Sequence, residues 1–324
     1  MKKILCLAAA LVLAGLAFSC KKESNEVLIF SSSEDFRIEY MQKRLNEQFP
    51  QYSILINYTT TGNLAAKLKA EGTATDCDII GELDSAYLEG IIDNLADLSS
   101  YDSSIFLDDL VPAHHKYVPF VKSAGCIIIN ENFLASRNIP LPDSYQDLLK
   151  PEYKNAISIP NPKSSGTGYF FLKNLVNTMG EDAAFAYFDQ FAQNVLQFTS
   201  SGSGPVNALI QGEAGIGLGM TFQAVSAINN GIPLKVLYFE EGSPYTLYGT
   251  AVIKGKETRK AVRDVFEFYM STLNREDKEL FVPEQIFKVQ TNTIANYPQN
   301  VKTADMRGIE SIAEKERLLA RWKY

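Results

Sequence analysis

The sequence has few of the side chains that enzymes use most often for catalysis. Its 324 residues include one tryptophan, four cysteines and two histidines, and the histidines are neighbours, His114 and His115. It contains no G-x-x-x-x-G-K-[ST] phosphate loop, no H-E-x-x-H zinc motif, no C-x-x-C pair and no G-x-S-x-G nucleophile elbow. We therefore predict that the chain is not an enzyme and that it carries no resident cofactor or metal ion.

The sequence also lacks clustered positive charge. The formal net charge is −7, with 38 acidic and 31 basic residues spread along the chain. Proteins that bind nucleic acid neutralise phosphates with patches of lysine and arginine, so this composition argues against a nucleic-acid partner. A small anionic solute remains compatible with an acidic chain, because local groups can hold it.

Long apolar runs are confined to the N-terminus. Residues 4–18 are apolar and follow two lysines, but they are too few to span a bilayer. The run from Leu16 to Cys20 resembles the cleavage site of a bacterial lipoprotein, in which the cysteine becomes acylated. We predict a signal peptide over residues 1–19, a lipidated Cys20 that anchors the protein to a membrane, and a polar tether over residues 20–25. The alternative is an ordinary secretory signal cleaved near Ser19.

Two cysteines remain after such cleavage. Cys77 and Cys126 each lie within an apolar, strand-like segment. They could pair in an oxidising compartment, but nothing in their spacing requires a disulfide. We predict two buried free thiols.

Strand-like and helix-like segments alternate along the rest of the chain. The first part of this segment reads as a β-α-β-α-β series. Its elements are a strand at residues 27–30, a helix from Phe36 to Phe49, a strand at residues 53–58, a helix ending at Gly72 and a strand at residues 77–80. The alternation recurs between residues 124 and 253, and residues 255–324 are predicted to be mainly helical. This order predicts an α/β architecture with mostly parallel sheets covered by helices.

Two such units in one chain of this length predict two lobes. We place lobe 1 at residues 26–120 and 244–324, the second part including the C-terminal helices, and lobe 2 at residues 121–243. The connecting segments, near residues 117–123 and 241–248, are not Gly/Ser-rich linkers. We predict that they are extended hinge strands that let two rigid lobes close over a ligand.

Four loops rich in hydroxyl groups and glycine each join a strand to a helix. A helix start has unpaired backbone N–H groups and a partial positive charge, glycine lets a ligand approach the backbone, and serine and threonine add donors. Such loops bind phosphate or carboxylate without lysine or arginine, and in open α/β sheets they gather where ligands bind. The loops are Ser31–Ser33, Thr59–Asn63, Ser164–Gly168 and Ser200–Gly204.

Each loop has an alternative role as a helix cap, because serine and threonine are common N-cap residues. Ser31 with Glu34, and Ser32 with Asp35, match the spacing of a capping box. The carboxylates of Glu34 and Asp35 would repel a ligand that carries only negative charge. They either complement the dipole of the helix that follows or face an amine of a zwitterionic ligand.

Five further segments carry a family resemblance: Ile139–Tyr153, Ile157–Pro162, Ser164–Tyr169, Gly212–Met220 and Glu241–Tyr245. They resemble the iron, phosphonate, thiamine and polyamine group of periplasmic solute-binding proteins that serve bacterial ABC importers. The resemblance implies the type II periplasmic-binding-protein fold, hinge closure around a small solute, and delivery of that solute to separate permease and ATPase subunits. It implies a location in the periplasm or at the cell surface.

Departures from the ferric-binding members of this group favour another ligand. Those members have a Tyr-Tyr pair where this chain has Thr221 and Phe222, and a histidine where it has Ser31–Ser33. The loop Ser164–Gly168 instead resembles that of members that bind phosphonates and sugar phosphates, which implies a phosphate- or phosphonate-bearing solute. By position, the resemblance implies ligand binding by Ser165, Gly166, Thr167, Ser201 and Ser203 from one lobe, by Ser32, Thr61 and Gly62 from the other, and by Thr221 and Glu241 near the rest of the ligand.

Two alternatives stay open at this point. A binding protein for ferric iron, thiamine or a polyamine would use aromatic and acidic groups, with Tyr40, Tyr169, Tyr245, Glu34 and Asp35 as candidates. A secreted hydrolase or an adhesin-like surface lipoprotein is the other, although the sequence shows no catalytic constellation for the hydrolase.

Overall fold

The structure is a computed structural model that describes residues 24–324. The predicted signal peptide and the predicted lipidated Cys20 lie outside the described residues. Residues 24–324 form nine β-strands that belong to one continuous sheet. The strands are β1 Glu26–Ser31, β2 Ser53–Tyr58, β3 Ile79–Asp84, β4 Val118–Asn130, β5 Ile157–Pro160, β6 Val195–Thr199, β7 Ile216–Met220, β8 Leu234–Leu237 and β9 Tyr245–Val252.

Helices follow most of these strands, as the alternation of the sequence predicts. None of the helices within residues 24–324 has the length and apolarity that a membrane crossing requires. The helices are α1 Asp35–Gln48, α2 Thr61–Glu71, α3 Ser85–Glu89, α4 Glu131–Ser136, α5 Gly166–Met179, α6 Glu181–Phe191, α7 Gly204–Ile210, α8 Thr221–Asn229, α9 Lys260–Phe268, α10 Asn274–Leu280 and α11 Ile312–Arg321, with a π-helical turn at Tyr269–Leu273 between α9 and α10.

The sheet has a parallel part at each end and an antiparallel centre. The strand order is β2-β1-β3-β9-β4-β7-β5-β6, and β8 joins the sheet through β4. β1 is parallel to β2 and β3, and β5 is parallel to β6 and β7. β9 runs antiparallel between β3 and β4. The two parallel parts, each covered by helices, are the two α/β lobes.

Two long strands connect the lobes. β4 and β9 pair with each other from Val118 opposite Thr250 to Ala124 opposite Tyr245. Beyond this pairing, β4 continues to Asn130 and pairs with β7 and β8 of lobe 2, whereas β9 pairs with β3 of lobe 1. These strands lie in the two segments where the sequence predicts the hinge crossings.

Each lobe has its own hydrophobic core. In lobe 1, Met41 and Leu45 of α1 pack with Val265 of α9 against the sheet. In lobe 2, α5 is buried from Gly166 to Val176, which makes it the central helix of that lobe. Full burial of one large apolar side chain stabilises a fold by about 1.5–3 kcal/mol, so each core contributes substantially to the stability of its lobe.

The C-terminal region differs from the sequence prediction in two ways. Residues 281–311 contain no helix, so the prediction that residues 255–324 are mainly helical is wrong for that stretch. The chain also returns to lobe 2, because Met306, Leu318 and Trp322 pack in the core of lobe 2 with Phe188. The apolar side chains of α11 thus complete a core that is distant in sequence, which periodicity alone does not reveal.

Cys77 and Cys126 are free and buried, which confirms the prediction of two buried thiols. Cys77 lies in the core of lobe 1 and Cys126 in that of lobe 2. Burial raises the pKa of both thiols above the usual value, so both stay protonated.

Helix α11 joins the two lobes through a buried ion pair. On lobe 2, Glu314 accepts a hydrogen bond of 2.8 Å from Lys173. On lobe 1, the Lys315 Nζ donates to Asp84 Oδ1 at 2.7 Å, and neither side chain is exposed to solvent. Asp84 also caps α3 by accepting from the backbone N–H of Ala86. Because Lys315 and Asp84 belong to different lobes, their pairing stabilises the closed arrangement.

We expect the Lys315→Met variant to lose about 3–5 kcal/mol of unfolding free energy, because it leaves the Asp84 carboxylate buried without its counter-ion. Chemical denaturation of the wild type and the variant measures the difference. The matched control is Lys69→Met, which removes a pair with Glu316 whose side chains are 66% and 54% exposed. That control should change stability by less than about 1 kcal/mol. Equally small effects from both variants would contradict this account of the buried pair.

Candidate functional site

The four hydroxyl-rich loops meet between the lobes. A small cavity of about 20 Å³ lies on the hinge strands and is lined by both lobes. Lobe 1 contributes Ser32, Glu34, Arg37, Thr61 and Glu82. Lobe 2 contributes Ser165, Thr167, Gly202, Met220 and Phe222, and the hinge strands contribute Val121, Ser123 and Tyr248.

A wider groove of about 320 Å³ adjoins this cavity and shares Ser32, Glu34 and Gly202 with it. Lobe 1 adds Asp35, Tyr58 and Thr60 to its lining, and lobe 2 adds Ser200, Ser201, Ser203 and Asn207. The inner cavity and the outer groove together form the cleft between the lobes.

The serine and threonine side chains of these loops do not cap their helices. The N-cap residues of α1, α2, α5 and α7 are Glu34, Thr60, Ser165 and Ser203, and none makes a side-chain capping bond. Side-chain caps do occur elsewhere, at α3, α4 and α11. The capping boxes that the spacing of the first loop suggests are therefore absent, and the alternative that the loops act only as caps is wrong.

The hydroxyl groups of the first loop instead bond to neighbouring groups. Ser31 donates to the Ser33 Oγ at 2.8 Å, and Ser33 donates to Glu82 Oε2 at 2.8 Å. Ser32 donates to the backbone carbonyl of Glu82 at 3.0 Å. This loop is thereby fixed to the end of β3.

One hydroxyl of the cavity has no partner within the described residues. Ser123 is 3% exposed, lines the inner cavity, and its Oγ makes no hydrogen bond there. A buried hydroxyl without a partner costs free energy, since folding removes it from water. Ser123 thus has a free donor and acceptor for a group that enters the cavity.

Ions of lobe 1 form the floor of the cavity. The Arg37 guanidinium is 1% exposed and contacts three carboxylates: Asp277 at 2.8 Å, Glu82 at 2.8 Å and Glu34 at 2.9 Å. Lys278 pairs with Asp277. This buried cluster therefore has three acidic and two basic groups, and the arginine charge is already compensated.

Burial determines the protonation of these groups. Burial and the neighbouring Glu82 charge raise the pKa of Glu34 to about 7, although the Arg37 charge opposes the shift. Burial would also raise the pKa of Asp277, but the charges of Arg37 and Lys278 hold it below the usual value. At neutral pH, Glu34 consequently exists in both protonation states, whereas Asp277 is ionised.

The two faces of the cleft differ in charge. Every residue that lobe 2 contributes to the cavity and the groove is uncharged, and most carry a hydroxyl. The start of α5, with Ser165 and Thr167, adds backbone N–H groups that have no helical partner. Lobe 2 therefore presents neutral hydrogen-bond donors, and lobe 1 presents carboxylates opposite them.

Two of the predicted glycines permit the close approach of the lobes. A Cβ at Gly62 would overlap the backbone carbonyl of Lys163, and a Cβ at Gly166 would overlap the Tyr248 hydroxyl. The Gly62 N–H donates to the Ser164 carbonyl across the cleft at 3.0 Å. In this closed arrangement, Gly62 forms a contact between the lobes.

Eight of the ten predicted site residues lie at the cleft or at its closing contacts, and two lie elsewhere. Thr221 is 2% exposed and its Oγ1 contacts the Tyr238 hydroxyl at 3.3 Å, while its neighbours Met220 and Phe222 line the cavity. Glu241 lies in a surface depression with Glu240 and Lys302, apart from both cleft linings. The turn after Phe239 carries Glu241 and faces the C-terminal segment rather than the cleft.

The aromatic candidates also lie outside the cleft. The Tyr40 hydroxyl donates to Glu276 at 3.0 Å, Tyr169 is fully buried beneath Lys315, and Tyr245 packs against Lys122. None of the three lines the cavity or the groove.

The predicted site residues do not include four residues that line the cavity: Arg37, Glu82, Ser123 and Tyr248. Two of them had a detectable signal: Arg37 follows Glu34 by three residues on the buried face of a helix, and Glu82 lies at the carboxyl end of a buried parallel strand. Ser123 and Tyr248 sit on the hinge strands, and only the pairing of β4 with β9 places them at the cleft.

Solved structures share this architecture along most of the chain. The periplasmic binding protein AfuA from Actinobacillus pleuropneumoniae, described with bound exogenous fructose 6-phosphate, superposes with a TM-score of 0.82 at 21% identity, covering 92% of this chain and 97% of that one. Iron-bound HitA from Pseudomonas aeruginosa gives a TM-score of 0.75 at 15% identity, covering 91% and 98%. These likenesses confirm the predicted type II periplasmic-binding-protein fold.

Sequence comparison leads to the same family. The spermidine/putrescine-binding periplasmic protein of Salmonella typhimurium is 24% identical over 249 residues, which cover 72% of this chain and 70% of the relative. The model of the bacterial extracellular solute-binding protein family matches residues 52–277. The chain therefore belongs to this family, whose members are the solute-capturing subunits of ABC importers.

Proposed function

We propose that this protein captures a small molecule with a phosphate or phosphonate group, for example a sugar phosphate or an aminoalkylphosphonate, and delivers it to the permease and ATPase subunits of an ABC importer. We further propose that Cys20 is lipidated and anchors the protein to the membrane from the periplasm or the cell surface. The observation that supports the ligand class is the convergence of four hydroxyl-rich loops that have no capping role on one cleft.

The donors of lobe 2 suit a phosphoryl oxygen. Ser165 and Thr167 lie at the start of α5, a helix of 14 residues whose dipole places partial positive charge at that end. Three successive backbone N–H groups there lack helical partners, and the two hydroxyls add donors beside them. Anions bind helix starts of this kind without a lysine or arginine.

The unpartnered Ser123 hydroxyl lies in the same cavity, between the two lobes. A phosphoryl group has three terminal oxygens, so it can accept from α5, from Ser123 and from the Thr61 side of lobe 1 together. Such contacts form only when the lobes are closed, which links ligand binding to the hinge. The likeness to AfuA, described with fructose 6-phosphate, agrees with this ligand class.

A cationic metabolite such as a polyamine is the second candidate. Glu34, Asp35 and Glu82 line the cleft from lobe 1, and carboxylates suit ammonium groups. The relative from Salmonella typhimurium is named for spermidine and putrescine. We rank this candidate below the phosphate compounds because Arg37 already pairs with two of these carboxylates and because the aromatic candidates lie outside the cleft.

A thermal-shift panel on the purified protein separates these candidates. We expect stabilisation by one or more of fructose 6-phosphate, 3-phosphoglycerate, 2-aminoethylphosphonate and inorganic phosphate, and no shift with spermidine, thiamine or ferric citrate. A ligand at about 100 times its Kd stabilises the folded state by about 2.7 kcal/mol. A shift with spermidine, thiamine or ferric iron, together with silence from all four phosphorus compounds, would overturn the proposal.

We expect the Thr167→Asp variant to lose affinity for the phosphorus compound by at least tenfold, because it places a like charge at the α5 start. The partial positive charge at the helix start favours a carboxylate there, which offsets part of the cost of burying its charge at this 2% exposed position. Thr167→Asn is the matched control, with the same size and no charge, and it should retain most of the affinity. Titration calorimetry measures both variants. If both variants lose affinity equally, the loss results from the close packing of residue 167 against Gly202 and not from the added charge.

A further inference from the structure

We propose that Glu34 is the specificity-determining acid of the cleft: a phosphoryl group held by the α5 start shares one proton with the Glu34 carboxyl, so the protein takes up a proton when it binds a phosphate or phosphonate dianion. This inference rests on the proposed ligand class. It adds the protonation state in which the ligand is held and the residue that selects it.

The geometry places Glu34 where an anion must meet it. Its side chain is 11% exposed and lines both the inner cavity and the outer groove, so it stands at the passage between them. Ser165 and Thr167 line the same inner cavity from the opposite lobe. Because the α5 start and Glu34 line one cavity, a group that accepts from the α5 start also lies against the lobe 1 face.

The charges of lobe 1 leave no cation to offset an incoming dianion. Arg37 contacts Glu34, Glu82 and Asp277, and Lys278 pairs with Asp277. With every carboxyl ionised, this cluster carries three negative and two positive charges. One proton on a carboxyl removes the excess negative charge and turns an acceptor into a donor toward the phosphoryl oxygen.

Hydrogen bonding indicates which carboxyl takes the proton. Glu82 Oε2 already accepts from both Ser33 and Arg37, at 2.8 Å each. Among the side chains of residues 24–324, Glu34 accepts from Arg37 alone, at 2.9 Å. Burial already raises the pKa of Glu34 to about 7, and a nearby anion would raise it further.

Other titratable and charged groups surround Glu34. On its own helix the neighbours are Asp35 and Arg37; Glu82 faces it from β3, and Asp277 and Lys278 face it from α10 through the arginine. Tyr58 of β2 and Tyr248 of β9 also lie near it, and burial raises the pKa of both phenols. The lobe 2 lining has no charged side chain.

The test is the pH dependence of binding between pH 6 and pH 8.5. The probe is whichever of fructose 6-phosphate, 3-phosphoglycerate, 2-aminoethylphosphonate and inorganic phosphate gives the largest thermal shift. Above pH 7, free Glu34 and the free phosphoryl group, whose second pKa is about 6 in a phosphate monoester, have both lost their protons, while the complex retains one. The Kd should therefore rise about tenfold per pH unit above pH 7 and change little between pH 6 and pH 7, where free Glu34 already carries the proton.

We expect Glu34→Gln to abolish the rise of Kd between pH 7 and pH 8.5. The carboxamide N–H donates to the phosphoryl oxygen at any pH in this range, so binding takes up no proton from solvent. Glu39→Gln is the matched control, since it removes the same charge from an exposed position of the same helix and should keep the wild-type slope. Calorimetry of the wild type in Hepes and in Tris at pH 8 should also show uptake of about one proton, a result that does not depend on how the variant folds.

Three outcomes would overturn the inference. A wild-type Kd that is constant above pH 7 shows that no proton is taken up. A Kd that falls as pH rises shows proton release, as expected if an ammonium group faces Glu34. A slope that persists in Glu34→Gln assigns the proton to another group. Silence from all four probes at every pH instead removes the proposed ligand class, and this inference with it.

Discussion

The antiparallel pairing of β4 with β9 is the constraint on which the rest of the structure depends. Val118 to Ala124 pair with Thr250 to Tyr245, and each strand then continues into a different lobe. The hydrogen bonds along such a ladder keep the strands in register while still allowing the lobes to bend toward each other. Because the pair lies at the base of the cleft, its Ser123 and Tyr248 become part of the binding surface.

The cleft combines two faces with opposite hydrogen-bonding character. Lobe 2 presents neutral donors at the start of α5, and lobe 1 presents carboxylates that already compensate Arg37. A ligand therefore has to satisfy donors on one side and acceptors on the other. Selection then depends on where the ligand carries its protons as well as on its net charge.

The closed arrangement also depends on contacts far from the ligand. Helix α11 packs its apolar side into lobe 2 through Leu318, yet its Lys315 reaches Asp84 of lobe 1 without exposure to water. Asp84 in turn accepts from Thr246 of the hinge strand β9 at 3.3 Å. The C-terminal helix, the hinge and the end of β3 are thus connected beside the cleft, and opening the lobes requires these contacts to change.

The sequence by itself determined the features that depend on neighbours along the chain. The alternation of strands and helices predicted the α/β class, and the composition of the four loops marked segments that meet at the cleft. These signals are local, because periodicity, helix starts and turn residues act over a few positions. Of the ten site residues that the family resemblance implies, eight lie at or beside the cleft, and Thr221 and Glu241 lie outside its lining.

Only the tertiary structure decided which of these groups act together. Arg37 and Asp277 are 240 positions apart and still form two hydrogen bonds, and the C-terminal helix completes the core of lobe 2 rather than that of lobe 1. The sequence also left open whether the loop hydroxyls cap helices, and the structure shows that they do not. The physical reason is that burial and charge compensation arise from contacts between distant segments, which no local pattern encodes.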